Sequence, residues 1–429
     1  MSSDLSVVIV SLRRCRWLTR YQEGDESVKD TFVLFAIEKL LCRPWRGGSD
    51  LLSIDEEFAV MSRRLVLDFN TSNYIGQQKK QAERNQMNQV EKHMRVCLGI
   101  REGFESVVTV ASSEPILTEA AATVMCSVQN NLRSCQMLRD ILRWPGMSKG
   151  DRGELVTCNI IIDSLDALMS KEGTWKPGGV KVTSWFKTLF ADGIYDSSIK
   201  ESFPSKLLNE SHHKSFANTF GGSYIYVTHF IKVYDFRVFS SERLFGFIAR
   251  GGGIVCADYQ RGVDVVIPIL FRDTTLRRDN MTVLMIQSKN DLSFSAEPLQ
   301  GLFDKMDPFK LHVFPKLTEP PPMIRMVTAL ASVEPSVSVV QLPERIQPTR
   351  QRKVVPTPFT SFDIWCAMAS SKTFGTIRPQ DDVAYDELLK LSKDVPEMFK
   401  PDKESIQEAV QSMYPCGAYN PDYWPHLEL

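Results

Sequence analysis

The sequence predicts an α/β protein in which a helical N-terminal region leads into a mixed-sheet core with flanking helices. Three observations carry that prediction. Segments of helical periodicity, bounded by capping residues, fill the chain to about residue 200. From about residue 215 the texture turns to aromatic and β-branched runs punctuated by glycine. The richest of these runs are apolar almost without a break, and a helix-like segment separates the last of them. That pattern suits a sheet covered on both faces.

The helical elements follow in order. DESVKDTFVLFAIEKLLCRP combines an acidic first turn, apolar residues at helical spacing and a stop at Pro44. SIDEEFAVMSRRL follows, with Ser53 as N-cap. The long polar segment YIGQQKKQAERNQMNQVEKHMRVCL is expected to be an exposed helix carrying i,i+4 charge pairs, in preference to a basic nucleic-acid arm. SSEPILTEAAATVMCSVQNNL places a proline near its first turn. GDRGELVTCNIIIDSLDALM is expected to be capped by Asp151, with an apolar stripe through Leu155, Ile160, Ile161 and Leu165.

In the second half SYIYVTHFIKV reads as extended, and a helix is expected over 241–250. The three glycines Gly251 to Gly253 end that helix and release the backbone for a reversal. Five strand candidates follow: IVCAD, VDVVIPILF, TVLMIQS, LHVF and IRMVTALASV. SAEPLQGLFDKMD is expected to be a helix between the third and fourth, with Ser295 as a cap. QLPERIQPTRQRKVVPTPF has the proline and arginine content of a surface linker, with a basic patch at Arg350, Arg352 and Lys353. DVAYDELLKLSK is helical in pattern. The implied organisation is a helical region over 1–205, an α/β core over 206–335, and a linker with a C-terminal segment over 336–429.

Composition narrows the function classes. A chain of 429 residues is too long for one compact core and suggests two or three domains. Its net charge of −1 provides no global field towards nucleic acid or anionic lipid, so any nucleic-acid contact must come from a local basic face. The nine cysteines are scattered without a CxxC pair, which argues against zinc-ribbon or dithiol chemistry and for buried thiols in a reducing compartment. In MSSDLSVVIVSLRRCRW the charges follow the short apolar run, the reverse of a secretory signal. No stretch approaches the roughly 18–20 apolar residues of a membrane span. The expectation is an intracellular protein, nuclear or cytoplasmic, without a membrane partner; nothing in the sequence sets its oligomeric state.

The chemistry-bearing stretch is GVDVVIPILFRDTTLRRDNMTVLMIQSKND. Asp264 stands at the start of one apolar run, and Gln287 and Lys289 close the next. Two residues apart in a strand, Gln287 and Lys289 share a face. If the two strands pair antiparallel, the end of the second meets the start of the first and brings Asp264 beside them. A carboxylate and a carboxamide oxygen suit a hard ion such as Mg²⁺, and a neighbouring ammonium would orient water and offset phosphate charge. The competing structural reading makes Asp264 a strand-start residue bonded to a turn amide, or the partner of Lys289 in a closed ion pair. Gln260, Arg261, Arg277 and Arg278 are candidates for phosphate contact, although the residues alone favour solvated turn positions. His229 in THFIKV is expected to be a satisfied, half-buried histidine rather than a ligand. Walker, GxSxG, HExxH, kinase and dinucleotide signatures are absent.

A helix with an acid, a glycine turn, a strand, an Asp-bearing strand and a strand ending in (D/E)xK together resemble the PD-(D/E)XK nuclease superfamily. The likeness to its restriction-endonuclease-like core covers roughly residues 235–332. Glu242 matches the helix-borne acid, Asp264 the aspartate, and Gln287-Ser288-Lys289 the (D/E)xK tripeptide. The resemblance implies a Mg²⁺- or Mn²⁺-dependent nuclease-like protein acting on nucleic acid, DNA before RNA. Asp264, Gln287 and Glu242 would hold the metal, Lys289 would be catalytic, and Arg261, Arg277 and Arg278 would contact the nucleic acid. Glutamine in place of the acid leaves a second implication open, a non-cleaving relative that binds nucleic acid or a partner protein. Glu154 in RGELV is the spare acid should Glu242 face away. RGELV, THFIKV, ARGGGIVCADYQRGVDVVIPIL, LMIQSKND and IRMVTALAS also resemble a broad group of basidiomycete fungal proteins, akin to Crinkler-type proteins; that likeness brings no activity with it.

Overall fold

A computed structural model describes residues 26–48, 51–67, 77–100, 107–111, 115–128, 133–142, 147–171, 174–175, 178–235, 239–257, 260–314, 319–341 and 358–390. The basic patch at Arg350, Arg352 and Lys353 lies outside these residues.

The first half is helical as expected, with α1 (Glu26–Leu41), α2 (Ile54–Arg64) and α3 (Gln77–Lys92) leading to the hairpin β1 (Val96–Ile100) and β2 (Val107–Val110). Ser53 closes a capping box on α2: its side chain accepts from the Glu56 amide, and the Glu56 carboxylate accepts from the Ser53 amide. α3 departs from the expectation of a fully exposed helix. It buries Gln86 and Gln89, and the Gln89 amide group donates to Asp55 O at 2.7 Å. Next come α4 (Pro115–Val128), α5 (Ser134–Ile141) and the 21-residue α6 (Lys149–Met169). α6 is capped by Ser148, not Asp151. The Ser148 hydroxyl accepts from the Asp151 amide at 3.1 Å, which leaves the Asp151 carboxylate in the first turn.

The short strands β3 (Ser170–Lys171), β4 (Thr174–Trp175) and β5 (Val180–Lys181) precede α7 (Val182–Leu189) and α8 (Phe216–Phe220). β6 (Tyr224–Ile225), β7 (His229–Lys232), α9 (Ser241–Ala249), β8 (Gly252–Val255), β9 (Val265–Leu270) and β10 (Met281–Lys289) follow. The chain then forms α10 (Gln300–Phe303), β11 (Met323–Ala329), β12 (Ser336–Val339), β13 (Ser361–Ala367) and α11 (Asp382–Lys390). Two expectations fail here. LHVF is not a strand: residues 311–314 fold as turns, with amides bonded back to Asp307, Phe309 and Pro308, and His312 at φ +59°. The helix over SAEPLQGLFDKMD shrinks to four residues, with Ser295 capping a local turn to the Glu297 amide.

Nine strands form one mixed sheet in the order β12-β13-β11-β10-β9-β6-β5, with β8 also on β9 and β7 parallel to β8. β8, β9 and β10 run antiparallel in turn, and β11 lies parallel to β10 after the α10 crossover. Side chains alternate between two apolar clusters. Ile267, Ile286, Ile324 and Ile364 pack under α6 and α7, while Val266, Met285, Val327 and Trp365 pack under α9 and α10. The sheet is therefore covered on both faces. It also extends past 206–335 on either side, since β5 and β13 belong to it, and α6 from the helical half is one of its covering layers. Arg64 of α2 joins Asp166 of α6 in a fully buried ion pair of 2.7 Å, so the two regions share one interior.

Candidate functional site

The ladder between β9 and β10 runs from Leu270–Met281 to Val265–Ile286 and stops one residue short of Asp264. At Asp264 the backbone is irregular. Its amide donates to Ile286 O at 2.9 Å while its carbonyl accepts from the Cys256 amide at 2.8 Å, so the two groups face opposite neighbours. In a regular antiparallel strand both would face the same one. Such breaks re-aim a side chain. The Asp264 carboxylate turns across the strand end, where Oδ2 accepts from the Ser288 amide at 2.7 Å. Its other oxygen has no partner among the described residues.

The end of β10 supplies the remaining groups. The Ser288 hydroxyl faces α6, 2.8 Å from Thr157 Oγ1, so strand alternation turns Gln287 and Lys289 together to the opposite face. Gln287 is 6% exposed, and its Oε1 is buried without a hydrogen-bond partner among the described residues. Lys289 is half-buried and makes no ion pair or hydrogen bond through its ammonium group among the described residues. Burial raises the Asp264 carboxyl above its ordinary value. The Lys289 charge, the Ser288 amide and the Lys232 charge oppose that rise. Part of the structural reading thus holds, because Asp264 does accept a backbone amide. The closed Asp264–Lys289 ion pair does not form.

The helix-borne acids are Glu242 of α9 and Glu154 of α6. The side chain of Glu242 lies outside the described residues; its helix, α9, packs Leu244, Ile248 and Ala249 into the second cluster. Glu154 sits on α6, one turn before the Thr157 that touches Ser288. Burial pushes the thiols of Cys158 and Cys256 well up, with the Glu154 and Asp264 carboxylates adding to the rise and Lys232 opposing it. Glu154, Asp264 and Lys232 therefore flank one corner of the sheet, with α6 on one face and Gln287 and Lys289 on the other. Lys232 escaped the sequence reading. Its only signal is a cation closing the apolar strand THFIKV.

The basic candidates divide between the two ends of the sheet. Arg261 is exposed in the turn from β8 to β9, three residues from Asp264. That turn is fixed by Gly262 at φ +90°, where a Cβ would lie 2.3 Å from Lys305 O. Arg277 lies before the start of β10 and pairs with Asp273 at 3.1 Å and Asp279 at 3.8 Å. The nine residues of β10, at about 3.3 Å each, separate it from Lys289. Arg278 is in the adjoining 3₁₀ turn, and its side chain lies outside the described residues. Gln260 carries a carboxamide buried without partners among the described residues. His229 is buried more deeply than expected. Its ring meets Thr228 Oγ1 at 3.1 Å, and burial followed by the charges of Arg64, Arg250 and Arg63 pushes its pKa down to about 3. It is held neutral in the core.

Among the described residues no three His, Cys, Asp or Glu side chains form a group able to hold a metal ion. The available oxygens at the corner are the second Asp264 oxygen and Gln287 Oε1, two donors of the kind Mg²⁺ accepts when water fills the rest of its shell.

Fold and corner together define an α/β protein with a cluster of polar side chains at one end of a mixed sheet. A family model described as a domain of unknown function, DUF8736, matches residues 70–298, more than half of the chain, and the protein belongs to that family. The matched stretch holds Glu154, Lys232, Glu242, Asp264, Gln287 and Lys289 and ends before β11. No curated protein and no solved structure matches the chain.

Proposed function

We propose that this protein is a metal-dependent nuclease-like enzyme that hydrolyses phosphodiester bonds in nucleic acid, DNA before RNA, with Mg²⁺ or Mn²⁺. One observation carries the reading: at the shared end of β9 and β10, Asp264 and Gln287 present oxygens, and Lys289 an ammonium group, that have no partner among the described residues. Burying unsatisfied polar groups costs about 1–3 kcal/mol each, a cost that a bound ligand would offset. The succession of three antiparallel strands, a short helix and a parallel strand supports the resemblance to the PD-(D/E)XK superfamily.

In this reading Asp264 and Gln287 hold the ion, and Glu242, or Glu154 from α6, completes the acidic set. A bound divalent ion would supply Lewis-acid polarisation of the phosphate. Lys289 orients the attacking water and offsets charge that develops on the phosphoryl oxygens. Arg261 lies on the side from which a phosphate backbone would approach; Arg277 and Arg278 would meet it only if the nucleic acid followed the whole length of β10.

A second reading, a nuclease-fold protein that binds nucleic acid or a partner without cutting, is favoured by Gln287 itself, which gives an ion no negative charge. Cleavage of plasmid DNA and of RNA with Mg²⁺ or Mn²⁺, by wild type and Lys289→Ala, separates the two. The nuclease reading expects metal-dependent cutting that falls about 10²–10⁴-fold in the variant. Equal cutting by both rejects the assigned site, and retention of labelled DNA without cutting selects the second reading.

A further inference from the structure

The residue after Lys289 makes bonds that neither the fold nor the proposed chemistry accounts for. Asn290 is buried, at 7% exposure. Its Nδ2 donates to Lys149 O in the first turn of α6 at 2.9 Å and to Leu389 O in the last turn of α11 at 3.2 Å. Both side-chain N–H groups are thus spent on carbonyls from two different helices. α6 comes close because position 153 is glycine: a Cβ there would lie 2.9 Å from Asn290 Cβ. On the other side, the Lys289 carbonyl accepts from the Leu330 amide at 2.8 Å, tying the strand end to the chain leaving β11. Outside this joint, Lys149 and Asp291 form a partly exposed ion pair at 2.7 Å.

We propose that Asn290 is a positioning residue for the site, which fixes Lys289 in β10 against the α6 turn that carries Glu154 by clamping the strand end between α6 and α11. The proposal rests on the reading of Lys289 as catalytic. It assigns α11, outside the matched family segment, a part in holding the site. The chemistry of the side chain is specific. Aspartate has the same shape but turns an oxygen towards two carbonyl oxygens, replacing two attractions with two repulsions. Serine retains one donor and fills less space.

The test compares wild type, Asn290→Asp, Asn290→Ser and Gly153→Ala in metal-dependent cleavage, with amide hydrogen exchange on the same proteins. Asn290→Asp is expected to lower kcat by at least about tenfold with KM for nucleic acid changed less than about twofold, since displacement of a catalytic group by about 1 Å costs up to about 10²-fold. Asn290→Ser falls between it and wild type. Exchange quickens at Lys289 and Leu330 and stays unchanged in the centres of β11 and β13. An Asn290→Asp enzyme with wild-type kcat, or one whose loss lies wholly in KM, overturns the proposal. If wild type cuts nothing, the nuclease reading fails on its own, and unchanged exchange at Lys289 and Leu330 would overturn the clamp. Should Asn290→Asp not fold, Gly153→Ala forces the same joint apart and carries both readouts.

Discussion

Two aspartates on this sheet, Asp363 and Asp264, are handled in opposite ways. Asp363, in the middle of β13, is fully buried, and both its oxygens engage the Arg325 guanidinium, with Nε donating to Oδ1 at 2.7 Å and Nη2 to Oδ2. Ser361 donates to Oδ1 at 2.8 Å, and Arg325 Nη1 donates to Phe303 O and Met306 O. Both carboxylate oxygens and all three guanidinium nitrogens are engaged. Asp264, at the end of β9, accepts one backbone amide, and its neighbours Gln287 and Lys289 hold groups without a partner among the described residues. A closed network of the first kind holds strands together; an open one of the second kind has capacity for a ligand.

The largest expected effect breaks the closed network. Asp363→Ala strands the Arg325 charge in the interior and is expected to destabilise the fold by about 3–5 kcal/mol. Urea unfolding of the purified variant measures it, and a loss below about 1 kcal/mol would show that the pair is not the dry bidentate contact described.

A third aspartate sharpens the contrast. Asp163 of α6 is buried and hydrogen-bonded by Ser134 at 2.6 Å, Asn159 at 3.3 Å and Tyr385 at 3.5 Å, yet burial still raises it to about 6, against the pull of Ser134, Arg133 and Arg64 and with a push from Asp166. A raised carboxyl therefore does not by itself mark a functional group. The sign follows from linkage. The raised folded-state pKa leaves stability intact below the ordinary 3.8 and removes it as pH climbs to about 6, a loss on the order of 3 kcal/mol. Asp163→Asn should flatten that part of the stability curve, read as urea midpoints at pH 4 and pH 7. An unchanged pH slope would place the titration elsewhere.

How much of this was legible beforehand follows the same division. β9 and β10 declare themselves through VVIPILF and TVLMI, and their antiparallel pairing brings Asp264 to Ser288 and Lys289. β13 was hidden because SFDIWCA carries a charge in mid-strand, and the arginine that makes Asp363 tolerable there is 38 residues away. LHVF misled for the converse reason: a short apolar run fits a buried turn as well as a strand. The irregular step at Asp264 and the clamp on Asn290 are properties of pairing geometry, which no local pattern encodes. Glu154 and Glu242 are alike in sequence as acids in the first turn or two of a helix. Only the packing of α6 against Ser288 shows that Glu154 approaches the corner.

The open corner can be loaded deliberately. Gln287→Glu places a second buried carboxylate beside Asp264, and without metal it is expected to cost about 1–3 kcal/mol at pH 7 through desolvation and like-charge repulsion. Millimolar Mn²⁺ should return that stability, because binding to the folded state alone stabilises it by RT ln(1 + [L]/Kd). Thermal melts with and without Mn²⁺ give the comparison with wild type. A variant whose midpoint ignores the ion would show that the two oxygens do not face a common point.

The smallest effect on stability belongs to Asp264→Asn, and its smallness separates the two aspartates. The Asp264 carboxyl titrates above its ordinary value because burial outweighs Lys289, Ser288 and Lys232. Its ionised form is therefore disfavoured by folding, and the stability it leaves intact in acid is lost as pH rises through the raised folded-state value. Replacing it with a neutral isostere removes that penalty. The same change puts one weak acceptor, or a mis-set NH₂ group, against the Ser288 amide, a cost of about 1 kcal/mol. The two terms oppose each other, so urea unfolding at pH 7 should move by less than about 1 kcal/mol in either direction, while any metal-dependent cutting disappears. A loss as large as that of Asp363→Ala would make Asp264 a structural residue like its counterpart, and the corner would then be one more closed joint in the sheet.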